Sequence, residues 1–398
     1  MSQRQLYRRA AGLGLGFFGV AAIWPVFNTY VPLLLADLGL SAALIGFVLA
    51  WDNYLNIFVQ PAAGYWSDRR ASRWGRRKPW LLAGAPLAAL GFVAIPAISG
   101  MWGIMAAILL TNVGMALFRT PLVALLGDAF PAEQRSQANG VIHVMGGLGA
   151  IAALVGGGLL YKLGAGLPFL FAAALLLSGV GLVLARVPEP AAAAEPVAPG
   201  GFSLRQLFGS LPGSLWVLLL AIFCGALALE TVQAWISSFG VFVLGLDRGR
   251  MGMLLGLGFA LPSLLFAVPA GLLGARFGRP RILISGYALL LAVVAAGWFV
   301  GSEAALTGLL ALGGVASALI TVNALPLLFD LDASDARRFG LLTGGYYLAQ
   351  NLAAVVGPQL TGLLIDLSGQ NYRVMFAAAA LFLAPAVALT LRLARRAG

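Results

Sequence analysis

Charge is what this chain of 398 residues has least of: Asp, Glu, Lys and Arg make up 10% of it and hydrophobic residues 61%. An ordinary soluble domain is about one quarter charged, so a soluble globular protein is excluded. There is one cysteine, Cys224, inside an apolar run, which rules out an intrachain disulfide and reads as a small packed residue. There is one histidine, His143, which cannot build a metal site alone and is expected to be packed or hydrogen-bonded. No Gly-x-x-x-x-Gly-Lys-Ser/Thr loop is present, so ATP is not the energy source. Clustered acids and histidines are missing, as is a soluble domain, which argues against an enzyme or sensor in the membrane. No cofactor and no metal are expected. The net charge of +11 would suit nucleic acid, but the basic residues gather in no domain and no nucleic-acid motif accompanies them.

What the chain has is long apolar runs. They lie at about 11–36, 42–66, 79–98, 101–126, 137–160, 166–186, 213–241, 250–274, 281–300, 304–329, 339–366 and 373–392, each long enough to cross a hydrocarbon core of about 30 Å. Twelve membrane-spanning helices are predicted. The first run is too long for a signal-peptide core and no small-residue cleavage site closes it, so it reads as a retained span. Its Gly14-Leu15-Gly16-Phe17-Phe18-Gly19 matches a dinucleotide fingerprint only on paper, because no strand precedes it; close helix packing explains the glycines.

Between spans two and three, Gly64-Tyr65-Trp66-Ser67-Asp68-Arg69-Arg70-Ala71-Ser72-Arg73-Trp74-Gly75-Arg76-Arg77-Lys78-Pro79-Trp80 gathers six basic residues into a short turn. Alternate loops hold twenty Lys and Arg in the set that includes both termini and four in the other, namely Lys162, Arg248, Arg250 and Arg373. By the positive-inside bias both termini are cytoplasmic. Arginine outnumbers lysine 23 to 2, in keeping with a GC-rich bacterial genome and a cytoplasmic (inner) membrane.

A Pro/Ala/Gly stretch at 187–212 divides the chain into bundles of six spans, 1–186 and 213–398. The halves repeat each other. Gly75 in the basic turn returns as Gly278 in Gly271-Leu272-Leu273-Gly274-Ala275-Arg276-Phe277-Gly278-Arg279-Pro280-Arg281, and Asp128…Arg135 returns as Asp330…Arg337. The offsets, 203 and 202, agree within one residue. That is the construction of a secondary transporter built from two homologous halves. An all-α membrane protein of two pseudo-symmetric six-helix bundles follows.

These features resemble the major facilitator superfamily over essentially the whole chain. Ser72-Arg73-Trp74-Gly75…Lys78-Pro79-Trp80 is similar to the glycoside/pentoside/hexuronide cation symporters of the melibiose-permease type. Phe118-Arg119-Thr120-Pro121-Leu122-Val123-Ala124-Leu125, with Asp128…Pro131…Arg135-Ser136-Gln137-Ala138-Asn139, resembles the proton-coupled disaccharide symporters related to plant sucrose transporters. The resemblance implies alternating access and a cytoplasmic gate made by Gly64, Asp68, Arg69, Arg73, Gly75, Arg76, Arg77, Asp128, Arg135, Arg276, Gly278 and Arg279. A purely topogenic basic loop is the plainer reading. Ala275 stands where the first copy has Asp68, so an acid-dependent latch would be one-sided.

Three ionisable residues fall inside spans: Asp52, Arg119 and Glu230. Asp52 and Arg119 lie about 18 Å and 13 Å from the cytoplasmic end, near mid-membrane, where a charge must be paired or wet. Either they couple protons to transport or they form a structural ion pair. Glu230 serves the ligand or the proton, or pairs with an outer-loop base. Polar stripes run beside them: Asn28 with Trp24 and Phe27 in span one; Asp52, Asn53, Asn56 and Gln60 in span two; Glu230, Gln233 and Ser237 with Trp235 in span seven; Tyr346, Tyr347, Gln350 and Asn351 in span eleven; and Asn112 and Asn323. Amides that bond hydroxyls beside aromatic faces suit an uncharged polyol. Asn56 and Gln60 occupy the places where the melibiose-type family carries sodium-binding acids, which favours a proton.

The expected protein is a proton-coupled importer of a sugar or glycoside, a disaccharide first, acting as a monomer in the bilayer. The alternative is an exporter of an apolar or drug-like compound; span five lacks the Gly-Pro element of the proton-coupled drug exporters. Asp68→Asn is expected to lower transport severalfold with the amount of protein in the membrane unchanged, compared by uptake and by immunoblot. Undiminished uptake would leave the turn a topogenic signal only.

Overall fold

In hydrocarbon a backbone must satisfy its own N–H and C=O groups, and an α-helix does so within one segment. The computed structural model of the chain, which describes residues 3–69, 72, 74–130, 132–187, 212–331 and 339–397, is accordingly helical almost throughout. Among these residues the nearest approach to a strand is an isolated antiparallel bridge between Ser72 and Gly75 in the basic turn. The helices are α1 (Gln3–Asp37), α2 (Ala42–Leu49), α3 (Trp51–Arg69), α4 (Lys78–Ala94), α5 (Met101–Ala129), α6 (Ala132–Tyr161), α7 (Leu167–Arg186), α8 (Gly213–Ser238), α9 (Arg248–Leu254), α10 (Leu261–Phe277), α11 (Arg279–Gly297), α12 (Glu303–Leu331), α13 (Phe339–Leu367) and α14 (Val374–Ala397).

Eleven described helical segments are long and apolar enough to cross a membrane. The expected second span is the exception, for two physical reasons. It breaks at Ala50 into α2 and α3. The 19 residues of α3 then carry Asp52, Asn53, Asn56, Gln60, Asp68 and Arg69, so the polar stripe lowers their hydropathy. Span eight breaks in the corresponding place, passing from α9 through a π-helical turn at Leu255–Ala260 into α10. The linker expected at 187–212 lies outside the described residues apart from Val187 and Pro212.

The helices fall into two compact units. The first is built from α1, α3 to α7 and α9; the second from α2, α8 and α10 to α14. In the first, α1 packs on α6 and α7 through its glycines. A Cβ at Gly19 would meet the Leu175 carbonyl oxygen at 2.7 Å, and one at Gly149 the Phe18 oxygen at 2.1 Å. The fingerprint-like glycines are therefore helix-crossing points. In the second unit α8 packs on α13 and α14, and α12 on α10 and α11. The Asn323 amide donates to the carbonyls of Ala270 at 3.2 Å and Leu319 at 2.9 Å, tying α12 to α10.

The repeated turns owe their glycines to backbone geometry. Gly75 and Gly278 have φ of 105° and 91°, a region that a Cβ disfavours. Beside them the ion pairs repeat as well. Arg77 Nε donates to Asp128 Oδ2 at 3.1 Å, and Arg279 pairs with Asp330; each pair is separated by 51 residues. The first copy is the more enclosed, because Arg77 is 6% exposed and also donates to Ser67 Oγ at 2.6 Å. Arg76 adds a contact to Asp128 at 3.7 Å. Removing one partner of an enclosed pair costs on the order of 3 kcal/mol, while an exposed pair contributes under about 1 kcal/mol. Asp128→Ala is therefore expected to lower the thermal midpoint in detergent clearly more than Asp330→Ala; equal shifts would contradict this.

Candidate functional site

The second unit contains a polar cavity of ≈ 90 Å³, room for a few waters or one hydroxyl-bearing group. Glu230 and Gln233 reach it from one face of α8, since residues three apart are neighbours on a helix. Ser317 and Thr321 do the same from α12, Gln350 comes from α13, and Tyr287 closes a wall from α11. Ile222, Ala226, Leu229, Ile320 and Ala324 supply the apolar lining. Glu230 is half-buried and Gln233 exposed, so the carboxylate sits at the margin of the interior.

Internal bonds fix three of these groups. The Tyr287 hydroxyl donates to the Ala221 carbonyl at 3.3 Å and Thr321 Oγ1 to the Ser317 carbonyl at 2.8 Å. Gln350 Nε2 donates to the Tyr346 hydroxyl at 2.9 Å, which leaves the Gln350 amide oxygen for another partner. One carboxylate, two amides and two hydroxyls around aliphatic walls can accept and donate to a hydroxylated ligand.

In the first unit Asp52 stands in the opening turn of α3 and accepts from Asn53 Nδ2 at 2.9 Å. Arg119 of α5 lies within electrostatic reach of that carboxylate. None of the ion pairs among the described residues joins the two. Arg119 is exposed on its helix and Asp52 half-buried. Gly64 lies against Thr120, its added Cβ 3.1 Å from Thr120 Cγ2. Asn112 is 2% exposed, and neither its amide oxygen nor its nitrogen has a partner. Trp24 Nε1, one turn from Asn28, is in the same condition. Buried polar atoms of this kind are ordinarily satisfied, by water or a ligand where protein does not suffice. Asn28, Asn53, Asn56 and Gln60 are half-buried.

Other candidates are placed differently. Trp235 is fully buried and donates its indole N–H to the Pro358 carbonyl at 3.2 Å, so it joins α8 to α13 and does not line the cavity. Asn323 directs both amide hydrogens at backbone, as described above. Both therefore serve helix contacts, a use that residue type cannot reveal. Tyr347 and Asn351 are exposed on α13. His143 is exposed too, which removes the packed alternative of the packed or hydrogen-bonded position expected of it. Arg276 lies over the Phe277 ring at 5.2 Å. The side chains of Asp68, Arg69 and Arg135, and the whole of Arg73, lie outside the described residues. Sequence reading missed Tyr287, Ser317 and Thr321. The two hydroxyl residues at i and i+4 in an apolar span were the available signal, and a weak one, since such groups usually bond their own helix.

Known proteins agree with this architecture. The sequence pattern described as Major Facilitator Superfamily matches residues 13–260 and 242–398. The class C tetracycline resistance protein of Escherichia coli is 26% identical over 395 residues, covering 89% of this chain and 88% of that protein. Proton-associated sugar transporter A of Homo sapiens is 31% identical over 206 residues, covering 44% of this chain and 27% of its own. Among solved structures, a bacterial homolog to the human lysosomal transporter Spinster superposes with a TM-score of 0.79 at 16% identity, covering 99% of this chain and 98% of the other, which supports the fold alone. With a match that runs through both of its repeated halves, the chain belongs to the major facilitator superfamily, whose members are membrane transporters.

Proposed function

We propose that this transporter imports a sugar or glycoside, a disaccharide first, together with protons across a bacterial cytoplasmic membrane. The carrying observation is the cavity of Glu230, Gln233, Ser317, Thr321 and Gln350, whose donors and acceptors suit one hydroxyl-bearing group of such a ligand. Similarity to a protein named for proton-associated sugar transport supports the same substrate class. Asn28, Asn53, Asn56, Gln60 and Asn112 would supply a ligand's contacts in the first unit, with Tyr347 and Asn351 as further candidates in the second. In this reading both termini are cytoplasmic, the halves 1–186 and 213–398 are the functional bundles, and the protein acts as a monomer.

Asp52 is the proposed proton carrier. Protonation removes its charge and with it the attraction of Arg119, so proton and substrate bias one equilibrium between the two states of access. Each proton that enters contributes about 2.3 kcal/mol per 100 mV of membrane potential. Glu230 would follow the same logic beside the ligand. The turn between α3 and α4, with Asp68, Arg69 and Arg73, is the proposed cytoplasmic gate.

The second reading is proton-linked export of a drug-like compound, favoured by the tetracycline resistance proteins that match most of the chain. A single experiment separates the two. In inverted and right-side-out vesicles, maltose or sucrose should alkalinise the side from which it enters, and Asp52→Asn should abolish that proton movement while leaving facilitated sugar exchange. Proton exchange driven by tetracycline and not by either sugar would decide for export.

A further inference from the structure

Between α11 and α12 the second unit carries a groove of ≈ 470 Å³ that is unlike the polar cavity, because every side chain lining it is apolar. Small residues make its floor: Ala292 and Ala296 of α11 beside Ala305 and Gly308 of α12, all four exposed. Leu289, midway along α11, closes one end and Phe299, just past its last turn, the other. The ten steps from one to the other rise about 15 Å, half the depth of a hydrocarbon core of about 30 Å. A water-filled passage would carry polar groups along its wall. This wall carries none, so hydrocarbon is what it meets. Its width then decides which occupant fits. A volume of 470 Å³ over about 15 Å leaves a mean cross-section of about 30 Å². An α-helix about 10 Å across needs roughly 80 Å², so a helix of a second copy does not enter. A single hydrocarbon chain, whose carbons meet their neighbours at about 4 Å, needs roughly 15–20 Å². One acyl chain of the leaflet remote from the basic turns fits in both length and width.

The end of the groove at Phe299 also has a charge beside it. Arg373, in the turn before α14, donates Nη1 to the carbonyl of Trp298, the residue next to Phe299, at 2.5 Å. Its guanidinium lies over the Phe239 ring, 5.5 Å from the centroid. That uses one of its five N–H donors, and among the described residues no carboxylate pairs with it. The two acids that close long helices on the same side of the membrane are engaged elsewhere. Asp366, the nearest acid in sequence, ends α13 and fastens α2: it accepts from the backbone N–H groups of Ala42 at 2.8 Å and Ala43 at 2.9 Å, and from Gln370 Nε2 at 2.8 Å. Asp37 ends α1 and fastens α9, taking a bidentate pair from Arg248 at 2.6 and 2.7 Å. An arginine with donors to spare at the mouth of an apolar slot complements a phosphate whose acyl chain lies in that slot.

We propose that the α11–α12 groove and Arg373 form a binding site for one anionic phospholipid, with an acyl chain in the slot and the phosphate on the guanidinium. Only the assignment of that lipid to the outer leaflet rests on the orientation given above; the site itself does not depend on what is transported. The test uses the full chain, purified in detergent, supplied with phosphatidylglycerol and observed intact by native mass spectrometry. One phosphatidylglycerol per chain should persist as the activation energy is raised. Gly308→Phe fills the slot, and an added Cβ there has no neighbour within 4 Å. It should reduce the persisting adduct severalfold, as should Arg373→Gln, while Arg373→Lys should keep most of it; each variant is compared at a thermal midpoint close to that of the unaltered chain. Gly181→Phe, at an equally open position on α7, should leave the adduct unchanged. No persisting adduct, an adduct undiminished by Gly308→Phe, an equal adduct with phosphatidylcholine of the same chains, or a dimer that Gly308→Phe dissociates would each overturn the site.

Discussion

An ionised side chain at the centre of a bilayer costs at least about 2.5–3.5 kcal/mol unless a partner or water relieves it, and the distribution of charge along this chain obeys that penalty almost everywhere. Twenty of the 25 basic residues lie in one set of turns, and four more in the opposite loops. Where a charge enters the protein it is matched: Arg77 by Asp128 and Ser67, Arg248 by Asp37, Asp366 by backbone amides. The exceptions carry the functional argument. Asp52, Arg119 and Glu230 sit within spans, and Arg119 lies within electrostatic reach of Asp52.

Duplication explains why so much of the structure occurs twice. The enclosed and exposed Arg–Asp pairs stand at the same separation in the two halves, and both turns need a glycine of positive φ. The copies have since diverged. The carboxylate at Asp68 has no counterpart at Ala275, the first unit keeps an acid within electrostatic reach of an arginine, and the second keeps a polar cavity with one acid at its edge.

Hydropathy made the spans legible because a helix in lipid has to be apolar along its whole length, and for the same reason the polar second span was the hardest to delimit. That Glu230 and Gln233 share one face of α8 could be anticipated from helical spacing plus polarity, whereas their meeting Gln350 at one cavity could not. The direction of a side chain could not. Trp235 and Asn323 are of the residue types that bind sugars, yet both close helix contacts, and nothing in their spacing separates the two uses. Nor was the break at Ala50 visible, since neither Pro nor Gly marks it, although α2 packs closely on α13 through Gly46. Tyr287, Ser317 and Thr321 stayed hidden among apolar neighbours.

The two carboxylate fastenings differ in a way that bears on how the halves can drift apart in evolution. Asp366 grips main-chain amides, so almost any residue at positions 42 and 43 leaves its partner in place. Asp37 depends on one guanidinium, and with 47% of its side chain exposed it is open to counterions, whose screening length is about 8 Å at physiological ionic strength. Salinity therefore acts on the fastening of α9 more strongly than on that of α2, and an inherited symmetry becomes an uneven response to the surroundings.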